Sequence, residues 1–394
     1  MMRNMSRAIP RLWKDGYKQF TGLEEAIMKN CEAASGLAAC VRTSFGPNGL
    51  SKIVINRIEK VIVTTDAATI ISELEVQHPA AKLLCLSAAM QQREIGDGAN
   101  FVVVFAGELL KNAVYNLRKG LHPSVLVRGY EMAAKKVQEM IKELVVYEVN
   151  SQKDMYELEK LKLGIKSAIS SKQYGLENFL SELVGKACLN SMPQIASNFI
   201  VDNIRTVKIL GGSIMDSQII KGMVLESAPK SACTYAESTK VAIFTCSLDS
   251  TQTETKGTVL LHDANELMNY NQSEEDFIHG VIKRLKEMGV GVVIVGEKIS
   301  EMAIHYADKY KLVLLRCISK WTLRRLCRAV RARPVVTLQG IRDADLGVCN
   351  KVYTKEIGND NVTIFEQVNI GDSEVSTIVI RGATETAMND VERA

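Results

Sequence analysis

The sequence is poor in histidine and lacks paired cysteine motifs. Only five histidines occur in 394 residues, and their spacing matches neither HExxH nor a zinc-finger pattern. The nine cysteines, an odd number, include no CxxC pair. These absences argue against a zinc site, a Ser/His/Asp triad and a disulfide framework. The cysteines are therefore predicted to be reduced, buried thiols, as in proteins of a reducing compartment.

The chain also lacks long apolar runs and a strong charge imbalance. No window approaches the length that spans a membrane, and residues 1–10 are polar and basic, without the apolar core of a signal peptide. The acidic residues Glu24 and Glu25 argue against a transit peptide. A hydrophobic content of 46% predicts a soluble globular protein, and its length predicts two or three domains. The net charge of +4 is too small to indicate nucleic-acid binding.

Two glycine-rich stretches carry the most information about function. The sequence contains neither the GxxxxGK[ST] phosphate loop nor the GxGxxG dinucleotide motif. Instead, residues 42–49 read RTSFGPNG and residues 96–100 read GDGAN, each beside a predicted helix end. Glycines let backbone N–H groups approach a phosphate, and the Asp97 carboxylate suits an accompanying magnesium ion. The pattern therefore predicts a nucleotide-binding protein.

Each of these motifs also has a purely structural explanation. Pro-Asn-Gly is first of all a turn, so residues 46–49 could simply connect a helix to a strand. Asp66 lies between the two glycine stretches at a predicted helix start, where it could be an ordinary N-cap. The occurrence of all three features together favours nucleotide binding over isolated turns.

The first 147 residues are predicted to be mostly helical. The expected elements are a helix from a capping box at 21–24 to about Gly46, strands at 53–55 and 61–63, and helices from Pro79 to about Glu94, from 101 to 117 and after Pro123. Residues 101–105 (FVVVF) could instead form a buried strand. The apolar pattern continues to Leu117, which favours a helix whose free N–H groups point at the anion site.

The rest of the chain changes character at Gly211 and Gly212. Residues 151 to about 211 are predicted to be helical, with Lys172 at a helix end. Strands and helices alternate afterwards, which predicts an α/β domain inserted into a helical one. The expected strands are 241–246, 292–295, 312–315, 352–353, 362–365 and 377–380, and the expected helices begin at Ser273, run through 302–306, and begin at Ser319 and near Thr384.

A run of basic residues lies between positions 316 and 333. Its members are Arg316, Lys320, Arg324, Arg325, Arg328, Arg331 and Arg333. They could contact nucleic acid or an acidic polypeptide. Leu323, Leu326 and Val330 form an apolar stripe at helical spacing, which favours a solvated helix face. RNA binding is not favoured, because the run shows no interleaved exposed aromatic residues.

With these residues the sequence resembles the group II chaperonins, which include the eukaryotic cytosolic chaperonin TRiC/CCT. The stretches that carry the resemblance are GPNG at 46–49, DAATI at 66–70, ELEVQHPAAK at 73–82 and GDG at 96–98, with further matches at 20–26, 171–175, 201–205, 253–259 and 319–321. The similarity runs from near residue 15 to the end.

The resemblance implies a multidomain α and α/β fold. The expected parts are a helical equatorial domain at 1–147, a small intermediate domain at 148–211, an inserted α/β apical domain at 212–370 and the start of the return to the intermediate domain at 371–394. In the family, the equatorial domain binds nucleotide, the intermediate domain is a hinge, and the apical domain contacts substrate.

The resemblance also implies ATP and Mg²⁺ as cofactors. The residues expected to contact them are Phe45, Gly46, Pro47, Gly49, Asp97, Gly98, Ala99, Asn100 and Phe101. Asp97 would bind the metal ion, Asp66 would help orient the attacking water, and Lys172 would sense the terminal phosphate. So few residues can suffice, because phosphoryl transfer depends mainly on positioning and charge neutralisation.

Two departures from the family pattern bear on hydrolysis. Ala99 stands where the family usually has threonine, so one hydroxyl that could reach phosphate or metal is missing. Since a neutral hydrogen bond contributes about 1 kcal/mol, weakened rather than abolished binding is expected. The family continues beyond the position of Ala394 with another catalytic aspartate and the rest of the equatorial domain. The expectation is a C-terminally truncated chain, and its ATPase activity stays open.

The predicted function is an ATP-dependent molecular chaperone subunit in the cytoplasm. Its expected partners are the other chaperonin subunits of a hetero-oligomeric double ring and unfolded polypeptides such as actin and tubulin. Neither nucleic acid nor a membrane is expected as a partner. The alternative is a non-hydrolysing polypeptide-binding module or degenerate subunit. A small-molecule ATP-using enzyme is not favoured, because no substrate-pocket motif accompanies the phosphate motifs.

Overall fold

The computed structural model describes residues 22–56, 58–149, 152–193, 195–249, 264–367 and 375–394. The chain divides into two compact units, Met1–Glu148 and Val149–Ala394, each with its own hydrophobic core. Three features singled out in the sequence lie outside the described residues: the segment 1–10, Thr21 and the motif at 253–259.

The first unit is built from helices and one hairpin. Its elements are α1 (Leu23–Arg42), β1 (Lys52–Ile55), β2 (Val61–Thr64), α2 (Ala67–Glu73), α3 (Pro79–Glu94), α4 (Ala99–Arg118) and α5 (Pro123–Met140). Strands β1 and β2 pair antiparallel, with Lys52 opposite Thr64. The predicted hairpin and the start of α3 at Pro79 are confirmed. Residues 101–105 are helical, as the continued apolar pattern predicted.

The core of the first unit holds α1 and α4 in close contact. A Cβ placed on Gly107 of α4 would lie only 2.2 Å from the Cβ of Ala38, so only glycine permits this approach. Val41 and Val103 are fully buried, and Ile70 of α2 joins the same apolar cluster. This packing fixes where the end of α1 lies relative to the start of α4.

The predicted capping box at 21–24 is wrong. Helix α1 begins one residue later than expected, with Gly22 as its N-cap in an extended conformation and no side-chain cap. Glu24 is therefore the second helical residue rather than the third. A capping box needs the acidic residue at the third helical position, and Glu25 rather than Glu24 occupies that position.

The second unit joins helices to a large mixed sheet. Its elements are α6 (Leu158–Ser170), α7 (Glu177–Asn190), β3 (Ile204–Leu210), β4 (Gln218–Leu225), β5 (Tyr235–Phe244), α8 (Ala264–Glu287), β6 (Val290–Val295), α9 (Glu301–Lys309), β7 (Val313–Arg316), α10 (Lys320–Val330), β8 (Gly347–Ile357), β9 (Asp360–Glu366), β10 (Ser376–Gly382) and α11 (Glu385–Arg393).

Eight strands form this sheet in the order β3-β10-β4-β9-β8-β5-β6-β7. The β5-β6-β7 end is parallel, and the β10-β4-β9-β8-β5 stretch is antiparallel. Alternate residues of the parallel strands enter different cores: Ile243 packs with α10, while Phe244 packs with α8 and α9. This period-two alternation explains why the parallel strands are apolar along their whole length. At the other end of the sheet, α6, α7 and α11 share a core with β10.

Two expectations for the second unit are wrong. Residues 204–210 form a strand rather than a helix, because Val207 and Ile209 alternate with polar residues and β3 pairs with the distant β10. Ser273 does not begin a helix but lies inside α8, which starts at Ala264. The helix starts at Ser319 and Thr384 are confirmed, since each side chain caps a backbone N–H of its helix.

Candidate functional site

The first glycine turn, residues 43–50, follows directly after α1. Gly46 has a φ of 84°, a conformation that favours glycine, and it accepts a hydrogen bond from the Gly49 N–H at 3.0 Å. The Leu50 N–H closes the turn on the Thr43 carbonyl at 2.9 Å. A Cβ on Gly49 would lie 2.5 Å from the Ser44 carbonyl oxygen, whereas one on Gly46 would meet no atom within 4 Å. The turn is tight, with open space above Gly46.

The second glycine turn, residues 95–98, leads directly into α4. Gly96 and Gly98 have φ angles of 83° and 80°, and Gly98 is the N-cap of the helix. Because glycine has no side chain, Gly98 brings no capping acceptor to the first N–H groups of α4. The Gln91 side chain donates to the Asp97 carbonyl at 3.0 Å and holds the turn. A long helix with an uncapped N-terminus is a favourable place for an anion.

The structure brings these two turns together. The Asn100 Nδ2 donates to the Ser44 Oγ at 3.3 Å, and the rings of Phe45 and Phe101 lie 6.4 Å apart. Ala99, which follows the second turn, is buried in the same cluster as Val41 at the end of α1. Pro47 lies within the first turn. The two turns that carry the predicted cofactor contacts are therefore in contact with each other.

Asp66 has a clear structural role. Its Oδ2 accepts hydrogen bonds from the Thr69 N–H at 2.9 Å and from the Thr69 Oγ1 at 2.7 Å, which makes it the N-cap of α2. The carboxylate is largely buried, and Ala67 beside it packs in the same cluster as Ala99. The N-cap interpretation is thus confirmed, and Asp66 belongs to the same unit as both glycine turns.

Asp97 is the residue best suited to a divalent cation. It is half-buried and lies between two glycines at the start of α4. The described part of the chain contains no group of three or more His, Cys, Asp or Glu side chains that could hold a metal ion. Magnesium does not need such a group, since one or two carboxylates, phosphate oxygens and water can complete its shell. The donor set therefore fits a magnesium–phosphate ligand.

Lys172 lies in the second unit, just after α6. Its Nζ is 3.5 Å from the Arg393 carbonyl oxygen at the end of α11. The neighbouring Gln173 donates to the Asp390 carboxylate at 2.6 Å. Lys172 is therefore next to the last turn of α11, and the other predicted site residues belong to the first unit.

Helix α10 separates its basic residues from its apolar ones. Leu323, Leu326 and Val330 are buried, as the apolar stripe predicted. The opposite face presents Trp321, Arg324 and Arg325, and Arg328 donates to the Asn203 side chain. Trp321 is 69% exposed, so the expectation that no exposed aromatic accompanies the basic run is wrong. An indole among arginines can contact either a polypeptide or a nucleic-acid base.

All nine cysteines are free thiols, as predicted. The prediction that the cysteines are buried is confirmed only in part. Cys40 is exposed, whereas four others are buried: Cys31, Cys317, Cys327 and Cys349. Burial raises the pKa of the Cys327 and Cys349 thiols to about 11. These two thiols therefore remain protonated and unreactive at neutral pH.

Sequence reasoning missed two residues that shape the site, Ser44 and Gln91. Ser44 is buried, and its Oγ donates to the Val41 carbonyl at 2.7 Å while accepting from Asn100. The Ser44–Asn100 contact joins residues 56 positions apart in the chain, so no local sequence pattern predicts it. Gln91 lies only six residues before Asp97. Its role could have been predicted from the sequence by asking which nearby polar side chains can hydrogen-bond to the backbone of the turn.

The chain belongs to the TCP-1/cpn60 chaperonin family, whose model matches residues 37–394. Among curated relatives, the T-complex protein 1 subunit theta of Dictyostelium discoideum is 45% identical over 97% of this chain and 70% of its own length. The mouse protein of the same name is 45% identical over 98% of the chain and 69% of its length, and the human one is 44% identical over the same shares.

These relatives confirm the predicted family and the group II chaperonin fold class. The chain is a chaperonin subunit similar to the theta subunits. Among the helices that the structure describes, none is both long and apolar enough to cross a membrane.

Proposed function

We propose that this chaperonin subunit binds magnesium–ATP on its two glycine turns. The observation that carries the proposal is their junction at the start of α4, where Asn100 contacts Ser44 and Asp97 lies between Gly96 and Gly98. The family resemblance supports the same ligand. Open space above Gly46 leaves room for phosphate groups close to the backbone.

Each site residue has a distinct part in this proposal. Backbone N–H groups of Gly46 and Asn48 and of residues 98–101 would hold the phosphates, assisted by the positive end of the α4 dipole. Asp97 would hold magnesium, which neutralises phosphate charge when bound. Phe45 and Phe101 are about half exposed and would border the ligand. Following the family, Asp66 would orient water and Lys172 would sense the terminal phosphate.

The domain assignment completes this proposal. Residues 1–147 would be the equatorial domain, 148–211 and 371–394 parts of the intermediate domain, and 212–370 the apical domain. The boundary between the two compact units, at 148/149, supports the first division. The α/β sheet of the second unit supports an apical domain that binds polypeptides.

The proposed partners follow from the family and from the surface of α10. The relatives are subunits of a complex by name, which supports assembly with other chaperonin subunits. Following the family, this assembly would be a hetero-oligomeric double ring in the cytoplasm. Ile318 and Trp321 are both exposed beside the basic face, a combination that suits apolar segments of unfolded polypeptides such as actin and tubulin.

Calorimetric titration of the 394-residue chain with ATP tests the nucleotide proposal. We expect saturable binding in the presence of magnesium. Asp97→Asn, which removes the charge but keeps the shape, should weaken binding at least tenfold with magnesium and far less in EDTA. Asp202→Asn, which removes an exposed carboxylate from the second unit, is the matched control. Absence of magnesium–ATP uptake by the folded wild-type chain would overturn the proposal.

A second candidate is a polypeptide-binding subunit that does not hydrolyse ATP. The observation that favours it is the state of Asp66, whose Oδ2 is already engaged by two groups of Thr69. The replacement of the family's threonine by Ala99 points the same way. Single-turnover hydrolysis separates the two candidates: magnesium-dependent turnover that Asp97→Ala abolishes would exclude the second.

A further inference from the structure

A pocket lies where the end of α10 meets the start of β8. Its volume is about 310 Å³, at the lower end of the range for small-ligand pockets. A Cβ on Gly347, the first residue of β8, would lie 2.4 Å from the Val330 carbonyl oxygen, so only glycine permits this approach. Gln367 lines the pocket and is 3% exposed; its Nε2 donates to the Val348 carbonyl at 2.7 Å and to the Ala329 carbonyl at 3.3 Å. These contacts hold helix and strand in place around the pocket.

Arg331 lines this pocket in an unfavourable backbone conformation. It follows directly after α10 with a φ of 55° and a ψ of 34°, in the left-handed region. Glycine is the usual residue at such a helix end, because a Cβ costs free energy there. Strained non-glycine residues are typical of binding sites. The Arg331 residue is exposed at the pocket, which points to a role for its side chain.

The other walls of the pocket are apolar, with one amide. Val330 and Leu346 are buried, whereas Val348 is 59% exposed and therefore open to a ligand. Asn350 is half-buried, and its backbone N–H donates to the Gln367 side chain at 3.3 Å. Its own side-chain amide forms no hydrogen bond to any described residue. This amide can both donate and accept.

These groups together restrict the chemistry of a ligand. A guanidinium group binds a carboxylate through two parallel hydrogen bonds, and the apolar wall suits an aliphatic side chain. The amide can accept from a peptide N–H. The C-terminal residue of a polypeptide carries a carboxylate, a side chain and a peptide N–H on one Cα. An internal acidic residue would need a neighbour to supply the aliphatic group, which a pocket of this size does not favour.

We infer that the pocket beside Arg331 binds the C-terminal residue of a polypeptide that ends in an aliphatic side chain. Arg331 pairs with the terminal carboxylate, Val348 contacts the aliphatic side chain, and Asn350 accepts from the peptide N–H. This inference rests on the proposed polypeptide binding of the second unit and names a class of polypeptide for it. It involves neither the nucleotide nor the outer face of α10.

The test uses a fluorescently labelled hexapeptide of glycine and serine that ends in leucine, prepared as the free acid and as the C-terminal amide. Fluorescence anisotropy with the 394-residue chain measures both affinities. The acid should bind at least about tenfold more tightly than the amide, because only the acid forms the charge-assisted pair. Equal affinities, or no binding of either peptide, would overturn the inference.

Arg331→Gly is the decisive variant. It removes the guanidinium group and relieves the left-handed strain, so the unfolding temperature should rise by about 2–4 °C while the preference for the acid disappears. A loss of binding then does not reflect unfolding. The matched control is Arg333→Gln, which removes an equal charge from an exposed residue outside the pocket and should leave the affinity unchanged. Undiminished preference for the acid in Arg331→Gly would refute the role of this side chain.

Asn350→Asp keeps the shape of the side chain and adds a negative charge beside the carboxylate. It should weaken binding of the acid about tenfold and leave the amide peptide unaffected. Equal effects on the two peptides would contradict the placement of the carboxylate.

Competition with small acids identifies the source of the carboxylate. N-acetyl-leucine should displace the labelled peptide at least about fivefold more effectively than 4-methylpentanoate, which has the leucine skeleton but no amide N–H. Equal displacement would assign the pocket to a fatty acid and overturn the inference. An unfolded polypeptide with an amidated C-terminus separates this failure from that of the proposed function: if it still binds while the hexapeptide acid does not, only the inference about the pocket fails.

Discussion

At the scale of single residues, Ala99 is the position where the site departs from the family pattern. Its methyl group is buried in the cluster that joins α1, α2 and α4. The residue therefore contributes to packing at the start of α4 but offers no hydroxyl to a ligand. Valine and threonine have nearly the same shape, but only threonine carries a hydroxyl. Comparing the two substitutions at position 99 therefore separates the effect of the hydroxyl on affinity from the effect of the added side-chain volume.

We expect Ala99→Thr to raise the affinity for magnesium–ATP about fivefold, since one hydrogen bond contributes about 1 kcal/mol. Ala99→Val adds the same volume without the hydroxyl and should give no gain. Calorimetric titration of both variants measures the difference. An equal gain in the valine variant would show that packing, and not hydrogen bonding, limits the affinity.

Asp66 allows a similar separation of structural and chemical roles. Asparagine can accept the same two hydrogen bonds from Thr69, whereas alanine cannot. Asp66→Ala should therefore lower the free energy of unfolding by about 1 kcal/mol, and Asp66→Asn should lower it by a few tenths at most. Urea titration followed by circular dichroism measures both values. Equal destabilisation by the two substitutions would contradict the capping role.

At the scale of elements, α10 shows how one helix combines a structural and an exposed face. Its buried side holds Leu323 and Leu326 against the sheet, so substitutions there would disturb folding. Its outer side carries Trp321, Arg324 and Arg325, and no acidic residue occurs anywhere in the helix. Within the described part of the chain, the side chains of Arg324 and Arg325 form no ion pair. These arginines are available to an acidic partner.

We expect the double substitution Arg324→Glu/Arg325→Glu to weaken binding of an acidic unfolded polypeptide about tenfold at low salt, because attraction becomes repulsion. The matched control is Lys283→Glu/Lys286→Glu on α8. Both lysines are exposed, and α8 packs on the opposite face of the sheet. Fluorescence anisotropy with a labelled acidic polypeptide measures the effect. Tighter binding of single-stranded RNA than of the polypeptide would contradict this assignment.

At the scale of the whole molecule, the sequence predicts best what depends on neighbouring residues. Strand β6 is a short β-branched run, strand β7 is a short apolar run, and the caps at Ser319 and Thr384 are local motifs. Both turns of the site were also predictable, because glycines at positive φ beside helix ends leave a recognisable pattern. These features require little knowledge of tertiary packing.

Contacts between distant segments were not predictable in this way. Strands β3 and β4 both pair with β10, which lies more than 150 residues further along the chain. Without that partner, residues 204–210 show an alternation too short to distinguish from helical spacing. The Ser44–Asn100 hydrogen bond likewise joins residues that are far apart in the sequence. The sequence located the two turns, but the side chains that join them became visible only in the folded chain.

The division into two units makes a prediction for the whole chain. Residues 145–149 lie between two short 3₁₀ helices, Ile141–Leu144 and Gln152–Tyr156. All five residues are exposed and outside helices and strands, and Val146 is almost fully accessible. Their backbone can therefore enter a protease active site without unfolding either core. Limited digestion with subtilisin should cut first within 145–149 and leave fragments that correspond to the two units. Mass spectrometry of the first products identifies the cut, and early cleavage inside α4 or strand β6 would show that a unit core opens more readily than this segment.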